Sequence, residues 1–219
     1  MYDVLIVGSG VMGMSIAREL ALKNDSLSIA VIDRDVPGLH ASYKAGGMLG
    51  AQNEFIEDND LYKLAIESRG MFPKLSESLL NETGIDIQFK DSGLIKIANQ
   101  EDDLESLTRQ YEFLRQMDSS VKLLSNDELI QLTNGNVEPA YGAIHIPNDG
   151  QINANKYTKA LFKSLQQHHI TRYYHQEVQS IDRRNGYYAV CTDQMSPIEA
   201  HKVIIASGAW SSQLLKNYS

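Results

Sequence analysis

Ten residues near the start of the chain restrict its fold more than any other stretch: Val4 to Gly13, V-L-I-V-G-S-G-V-M-G. Val4, Leu5, Ile6 and Val7 form an apolar run, which reads as a strand buried on both faces of a parallel sheet. Gly8, Gly10 and Gly13 follow with the spacing G-x-G-x-x-G. Gly8 permits a tight turn out of the strand, Gly10 lets backbone approach a pyrophosphate, and Gly13 lets the next helix pack closely on the sheet. That helix, opening near Val11, would point its first N–H groups at the phosphates. A second apolar strand over Leu27–Ile32 ends in Asp33, about twenty residues beyond Gly13, the separation at which a carboxylate meets an adenosine ribose. A lone G-x-G-x-x-G is a weak signal. Strand, glycines, helix, strand and acid in this order specify a nucleotide-binding βαβ unit.

Composition narrows the partners. A net charge of −8 without a long basic run argues against nucleic acid or an anionic membrane surface. Cys191 is the single cysteine, so no intrachain disulfide can form and a cytoplasmic, reducing setting is expected. No apolar stretch reaches the length of a membrane span, and the chain enters its first strand without a basic, cleavable leader. The histidines are scattered and, with one cysteine, give no metal-ligand spacing. Adjacent His168 and His169 are expected at a solvated helix end, since sequence neighbours do not share a helix face.

Helical periodicity follows the glycines through Met14–Lys23, with Ile16, Ala17, Leu20 and Ala21 on one face. A turn is expected around Pro37 and Gly38. Leu61–Leu80 has helical spacing with Pro73 inside it, which predicts a kink or two helices. Ile85–Phe89 and Leu94–Ile97 alternate around Asp91-Ser92-Gly93 and predict a hairpin with one wet face. A charged helix over Glu101–Met117, a short strand at Leu123–Leu124 and a capped helix over Asn126–Leu132 follow. Tyr141–Ile146 reads as a strand, Asn148-Asp149-Gly150 as a turn, and Asn153 as the cap of a helix over Ala154–Gln167. Ile170–Tyr174, Val178–Asp182 and Tyr187–Thr192 are further strands, the last two joined through Arg184-Asn185-Gly186. Lys202–Ser211, K-V-I-I-A-S-G-A-W-S, is an apolar buried strand that runs into Ser207-Gly208.

Ser42–Gly50, S-Y-K-A-G-G-M-L-G, is unusual in its small side chains. Glycine presents no Cβ, so Ala45-Gly46-Gly47-Met48 would let backbone lie against a planar ligand. With the opening fingerprint and Asp33, this segment and its continuation A-G-G-M-L-G-A-Q-N-E at Ala45–Glu54 resemble the flavin-dependent amine oxidases related to D-amino-acid oxidase, and within them the glycine oxidases. The strand ending at Ser207-Gly208 is similar to one that, in that family, returns to the nucleotide domain beside the first strand. The resemblance implies an α/β fold: a Rossmann-like FAD-binding domain, discontinuous over 1–50 and 150–219, with an inserted α+β substrate domain over 51–149. The insert's mixed, partly antiparallel sheet would roof the flavin. The resemblance implies FAD as cofactor, held through Gly8, Gly10, Val11, Met12, Gly13, Asp33, Arg34, Ser42, Gly46, Gly47, Met48, Val178 and Gly208. Met48, on the loop that in the family passes over the isoalloxazine ring, is the candidate catalytic position. No metal is implied.

The chemistry implied is oxidation of the C–N bond of a small amino acid or amine, such as glycine or sarcosine, to an imine, with dioxygen giving hydrogen peroxide. A place in thiamin biosynthesis comes with the same resemblance. A flavin carries the redox step while the protein orients substrate and tunes charge. Members of the family are considerably longer, and the arginine that pairs with the substrate carboxylate is expected in the part this chain does not match. Arg69, Arg109, Arg115 and Arg172 could form the necessary fork, yet none matches that position. The chain alone is therefore expected to be impaired or inactive, with an open apolar sheet edge that invites self-association. Two other readings stay open: a non-catalytic FAD-binding fragment, and an FAD-dependent dehydrogenase of another small substrate. A nicotinamide-dependent dehydrogenase is disfavoured by Gly46-Gly47-Met48 and by Ser207-Gly208.

Overall fold

The apolar run that opens the chain becomes an interior strand in the computed structural model, which describes residues 1–37 and 40–215. In chain order the elements begin with β1 (Tyr2–Val7), α1 (Val11–Lys23), β2 (Ile29–Ile32), α2 (Ala41–Lys44), β3 (Met48–Leu49) and α3 (Asp60–Thr83). Then come β4 (Leu94–Ala98), α4 (Asp103–Met117), β5 (Lys122–Leu124), α5 (Asn126–Leu132), β6 (Gly142–Ile146), β7 (Gly150–Gln151) and α6 (Ala154–Gln167). The last are β8 (Thr171–Tyr173), β9 (Val178–Arg183), β10 (Tyr188–Thr192), β11 (Ile198–Ile205) and, after a 3-10 turn at Gly208–Trp210, α7 (Ser211–Leu215). Gly38, part of the turn expected after Asp33, lies outside the described residues.

The elements pack as two units, the first formed by Met1–Gly46, Glu77–Ile87 and Ala154–Ser219, the second by Gly47–Ser76 and Gln88–Asn153. The sequence reading placed boundaries near 50 and 150 and assigned 77–87 to the insert. That stretch sits in the first unit because α1 holds it: Arg18 donates to Ser78 Oγ at 2.7 Å and to Glu82 Oε2 at 2.7 and 3.0 Å. Arg18 is itself buried, and a charge taken out of water requires such partners.

In the first unit a six-stranded sheet runs in the order β8-β2-β1-β11-β10-β9. β8, β2, β1 and β11 are parallel, and β10 and β9 return antiparallel. Every residue of β2 is buried, as are Leu5 and Ile6 of β1, which is why these strands read as unbroken apolar runs. The strand expected to return beside the first does so, with Val4 opposite Lys202 and Val7 opposite Ile205. α1 starts directly behind the glycines, and a Cβ on Gly13 would lie 1.9 Å from the Gly8 carbonyl oxygen, so the close helix packing leaves no room for any other residue there.

The second unit has a three-stranded antiparallel sheet in the order β4-β6-β5, with a core of Ala98, Leu107, Leu114, Val121, Ile144 and Ile146. α5 opens with a capping box in which Ser125 and Glu128 exchange backbone hydrogen bonds. The hairpin expected between Ile85–Phe89 and Leu94–Ile97 does not form. β4 pairs with β6, Leu94 opposite Ile146 and Ile97 opposite Ala143, because there its apolar face meets Ile144 and α4. The turn at Gly93, with φ +77°, packs against β6, where a Cβ would meet His145 Nε2 at 2.9 Å. Residues 85–89 carry no strand, and beyond them only Lys90 bridges to Gln151.

One alternative is excluded and one expectation corrected. Of the kink and the two helices that Pro73 allowed, the second does not occur: α3 runs through Pro73 as one helix. The proline removes one backbone donor, and the helix is anchored on both sides of it, by buried Tyr62 before and buried Leu79 and Thr83 after. His168 is not a solvated helix end: its Nε2 lies 3.0 Å from Glu82 Oε1. The chain leaves the helix at once, with His169 at φ +55°, which turns His168 toward the carboxylate that Arg18 already holds. Among the described residues, no helix is long and apolar enough to cross a membrane.

Candidate functional site

The carboxyl ends of β1, β2 and β11 open into a cavity of about 420 Å³ within the first unit. Its position follows from topology. β1 connects through α1 to β2 on one side, while β11 arrives on the other, so the loops leaving adjacent strand ends diverge and leave a crevice. Gly8, Gly10, Val11, Met12, Asp33, Arg34, Ser42, Val178 and Gly208 all line it. These are residues from both ends of the chain, and the pairing of β1 with β11 brings them together.

Backbone shapes the floor. Gly8 has φ +110°, and a Cβ there would lie 2.4 Å from the Ala206 carbonyl oxygen. Gly10 precedes α1 with no side chain to cap it. Ser42 reaches in instead, and its Oγ accepts the Val11 N–H at 3.0 Å. The first turn of a helix carries N–H groups without intrahelical partners and a partial positive charge, which suits an anionic group. A Cβ on Gly10 would stand 3.3 Å from that Ser42 oxygen, so a larger residue would enter the space at the helix end.

Asp33 supplies the negative wall. Its Oδ2 accepts from the Ser9 N–H at 2.6 Å and the Ser9 hydroxyl at 2.8 Å, and its Oδ1 from the Asp35 N–H at 3.0 Å. Among the described residues it has no ion-pair partner. Arg34, next in sequence, stacks instead on Trp210, with its guanidinium carbon 4.1 Å from the ring centroid, and stands 3.8 Å from Glu177. Both Arg34 and Trp210 line the cavity. Gly208, at φ +58°, makes the bend that delivers Trp210 there.

Gly13 lies behind the floor rather than on it. Gly46, Gly47 and Met48 are not among the residues that line the cavity. Apart from its chain neighbours, no atom of the described residues lies within 4 Å of a Cβ placed on Gly46. Gly47 has φ +81°. Met48 pairs with Gln151 in the β3–β7 ladder and is 65% exposed.

The second unit holds the one arginine of the four that meets a carboxylate. Arg69 Nη1 donates to Asp149 Oδ1 at 2.7 Å and to Gln52 Oε1 at 2.8 Å. Asp149 is fully buried and also accepts the N–H groups of Gln52 and Asn53 at 3.0–3.2 Å. Gln52 Nε2 reaches Asp118 at 3.0 Å. Burial pushes the Asp118 carboxyl up, but hydrogen bonds from the Ser120 hydroxyl and N–H, Asn148 and Gln52 outweigh it and hold it down at about 2. Arg109 and Arg115 are exposed, and Arg172 stands over the Phe162 ring at 5.8 Å.

Sequence reasoning missed Ser9 and Trp210 as parts of the site. Ser9 stood inside the fingerprint, where the glycines, Val11 and Met12 were assigned roles and Ser9 was not. Trp210 lay near the end of the last informative stretch, and a tryptophan two residues beyond Gly208 was the available signal.

Residues 3–218 match the family described as DAO, FAD dependent oxidoreductase. The chain belongs to this family. It is 37% identical over 214 residues to glycine oxidase of Geobacillus kaustophilus (strain HTA426), covering 97% of this chain and 56% of that one. The bifunctional protein ThiO/ThiG of Synechocystis sp. is 30% identical over 214 residues, 97% of this chain and 31% of its own length. The crystal structure of the Geobacillus glycine oxidase superposes with a TM-score of 0.92 over 98% of this chain and 57% of that one. The chain thus spans little more than half the length of the glycine oxidases it matches. Its α/β fold is theirs, and FAD is the cofactor of the family.

Proposed function

We propose that this FAD-dependent oxidoreductase is of glycine oxidase type and oxidises the C–N bond of a small amino acid or amine, dioxygen being reduced to hydrogen peroxide. The observation that carries the reading is Asp33, an acid without a counter-ion among the described residues, at a cavity floored by glycine backbone. The residues present fit the adenosine diphosphate half of FAD. Gly8 and Gly10 leave room for phosphate oxygens, the N-terminus of α1 meets their charge, and Asp33 is the acceptor for the ribose. Arg34 and Trp210 present a flat face beside them, suited to stacking. FAD, when bound, supplies the acceptor for hydride from the substrate α-carbon and returns the electrons to dioxygen. Gly46, Gly47 and Met48 take the ring contacts in this proposal, supported by the open space at Gly46 and the exposure of Met48.

The second reading, FAD binding without turnover, draws support from Arg69. A substrate carboxylate needs a cation of its own when buried, and Arg69 already serves Asp149. The experiment is reconstitution with FAD followed by a peroxide assay on glycine, sarcosine and D-alanine. Peroxide formation supports the oxidase, and a folded, FAD-loaded protein that makes none supports the second reading. Gly10→Val is expected to stay folded and lose FAD; retention at full stoichiometry would remove the glycine floor from the phosphate site.

A further inference from the structure

Ser9 fills the variable position between the first two glycines, where the turn itself asks for no hydroxyl. It is nonetheless fully buried, and both of its donors end on one oxygen, Asp33 Oδ2, at 2.6 and 2.8 Å. The other oxygen, Oδ1, takes only the Asp35 N–H among the described residues. A carboxylate oxygen has two lone pairs. Oδ2 is therefore saturated, and Oδ1 keeps one direction vacant. Hydrogen bonds to an ionised acceptor are the short, strong kind, so the pair of bonds from Ser9 also fixes the plane of the carboxylate.

We infer that Ser9 is a positioning residue that occupies one oxygen of Asp33 and leaves Oδ1 as the single acceptor offered to the cavity, so that the protein reads one hydroxyl of an adenosine ribose and not both. The inference rests on Asp33 being the ribose acceptor. Replacing Ser9 by alanine keeps the backbone bond and removes the hydroxyl. Oδ2 then regains a lone pair, and the carboxylate can rotate to serve either ribose oxygen. Affinity falls through lost orientation, and the distinction between the two hydroxyls narrows.

The test is calorimetric titration of the 219-residue chain with ADP, 2′-deoxy-ADP and 3′-deoxy-ADP, in the parent, Ser9→Ala, Asp33→Ala and the double variant, with thermal melts to confirm folding. In the parent, one deoxy analogue should bind about tenfold more weakly than ADP, the low end for a lost bond to a charged group, while the other stays within about twofold. Ser9→Ala should weaken ADP and bring the two analogues together, and the double variant should bind ADP as Asp33→Ala does. A purely structural serine would weaken all three ligands alike and add to the effect of Asp33→Ala, which would overturn the inference. Equal losses for both analogues in the parent would overturn it without any variant, so a misfolded Ser9→Ala does not leave it undecided. Unchanged ADP affinity in Asp33→Ala would instead overturn the ribose reading, and the inference with it.

Discussion

Asp33 and Asp149 are built alike and used differently. Each accepts backbone N–H groups from a nearby loop, Asp33 from Ser9 and Asp35, Asp149 from Gln52 and Asn53. In the second unit Arg69 then closes the arrangement, and Asp149 has no exposed surface. In the first unit no cation among the described residues pairs with it, and Asp33 stays half-buried at the edge of a cavity. The difference is one counter-charge. A carboxylate neutralised within the fold has no electrostatic appetite left for a ligand, and it fastens the loop at 52–53 to the turn at 148–150. A carboxylate held only by neutral donors keeps its charge and its orientation for something that enters from outside.

The largest effect expected from this comparison is on stability. Arg69→Met strands a buried charge and should cost about 3–5 kcal/mol in urea unfolding. Asp149→Leu combined with Arg69→Met should recover a good part of that, because both desolvated charges are gone. A cost for Arg69→Met no greater than that of a surface substitution would break the comparison. Asp33→Ala should do the reverse. Its stability should fall less than that of Arg69→Met, by about 1–3 kcal/mol for the buried Ser9 donors left without an acceptor, while affinity for the adenosine half of FAD should fall by about 1.5–3 kcal/mol for each hydrogen bond lost to the charged acceptor. An Asp33→Ala protein that binds normally but unfolds easily would make Asp33 a second Asp149.

The smallest effect sharpens the fastening role through pH. Asp118 is held down at about 2 in the folded protein, below the ordinary value near 3.9 of an unfolded chain. Its contribution to stability is therefore complete above about pH 4 and is lost as pH falls toward about 2. Melting temperatures followed across that window should drop more steeply in the parent than in Asp118→Asn. Parallel curves would show that the Gln52–Asp118 bond does not tie this network to stability.

What could be read in the sequence was what is local. Strand, turn and helix at Val4–Lys23 are fixed by residues within a few positions of one another, and so were legible. That α5 is capped was legible for the same reason; the structure assigns the cap to Ser125. Ile85–Phe89 misled because alternation gives a strand its faces and not its partner: Leu94–Ala98 found β6, beyond α4, β5 and α5. Pro73 allowed a kink or two helices because the sequence does not show that Tyr62, Leu79 and Thr83, on either side of it in α3, are buried by packing against the rest of the chain. Asp149 was legible only as a turn former. Its role depends on Gln52 and Arg69, and no spacing rule connects the three. Ser9 shows the other limit, a hydroxyl hidden inside a motif whose glycines explained enough.

The pairing of β1 with β11 carries a consequence in time. A ribosome adding about 5–20 residues per second releases β11 roughly ten to forty seconds after β1. Until then β1 has only β2 beside it, and two strands without further cover are at best marginal in water. Every segment of the second unit, which ends at Asn153, has been made before β8 and β11 exist. Leu5 and Ile6 thus wait in solvent, or with a chaperone, until β11 supplies the neighbours on their other side.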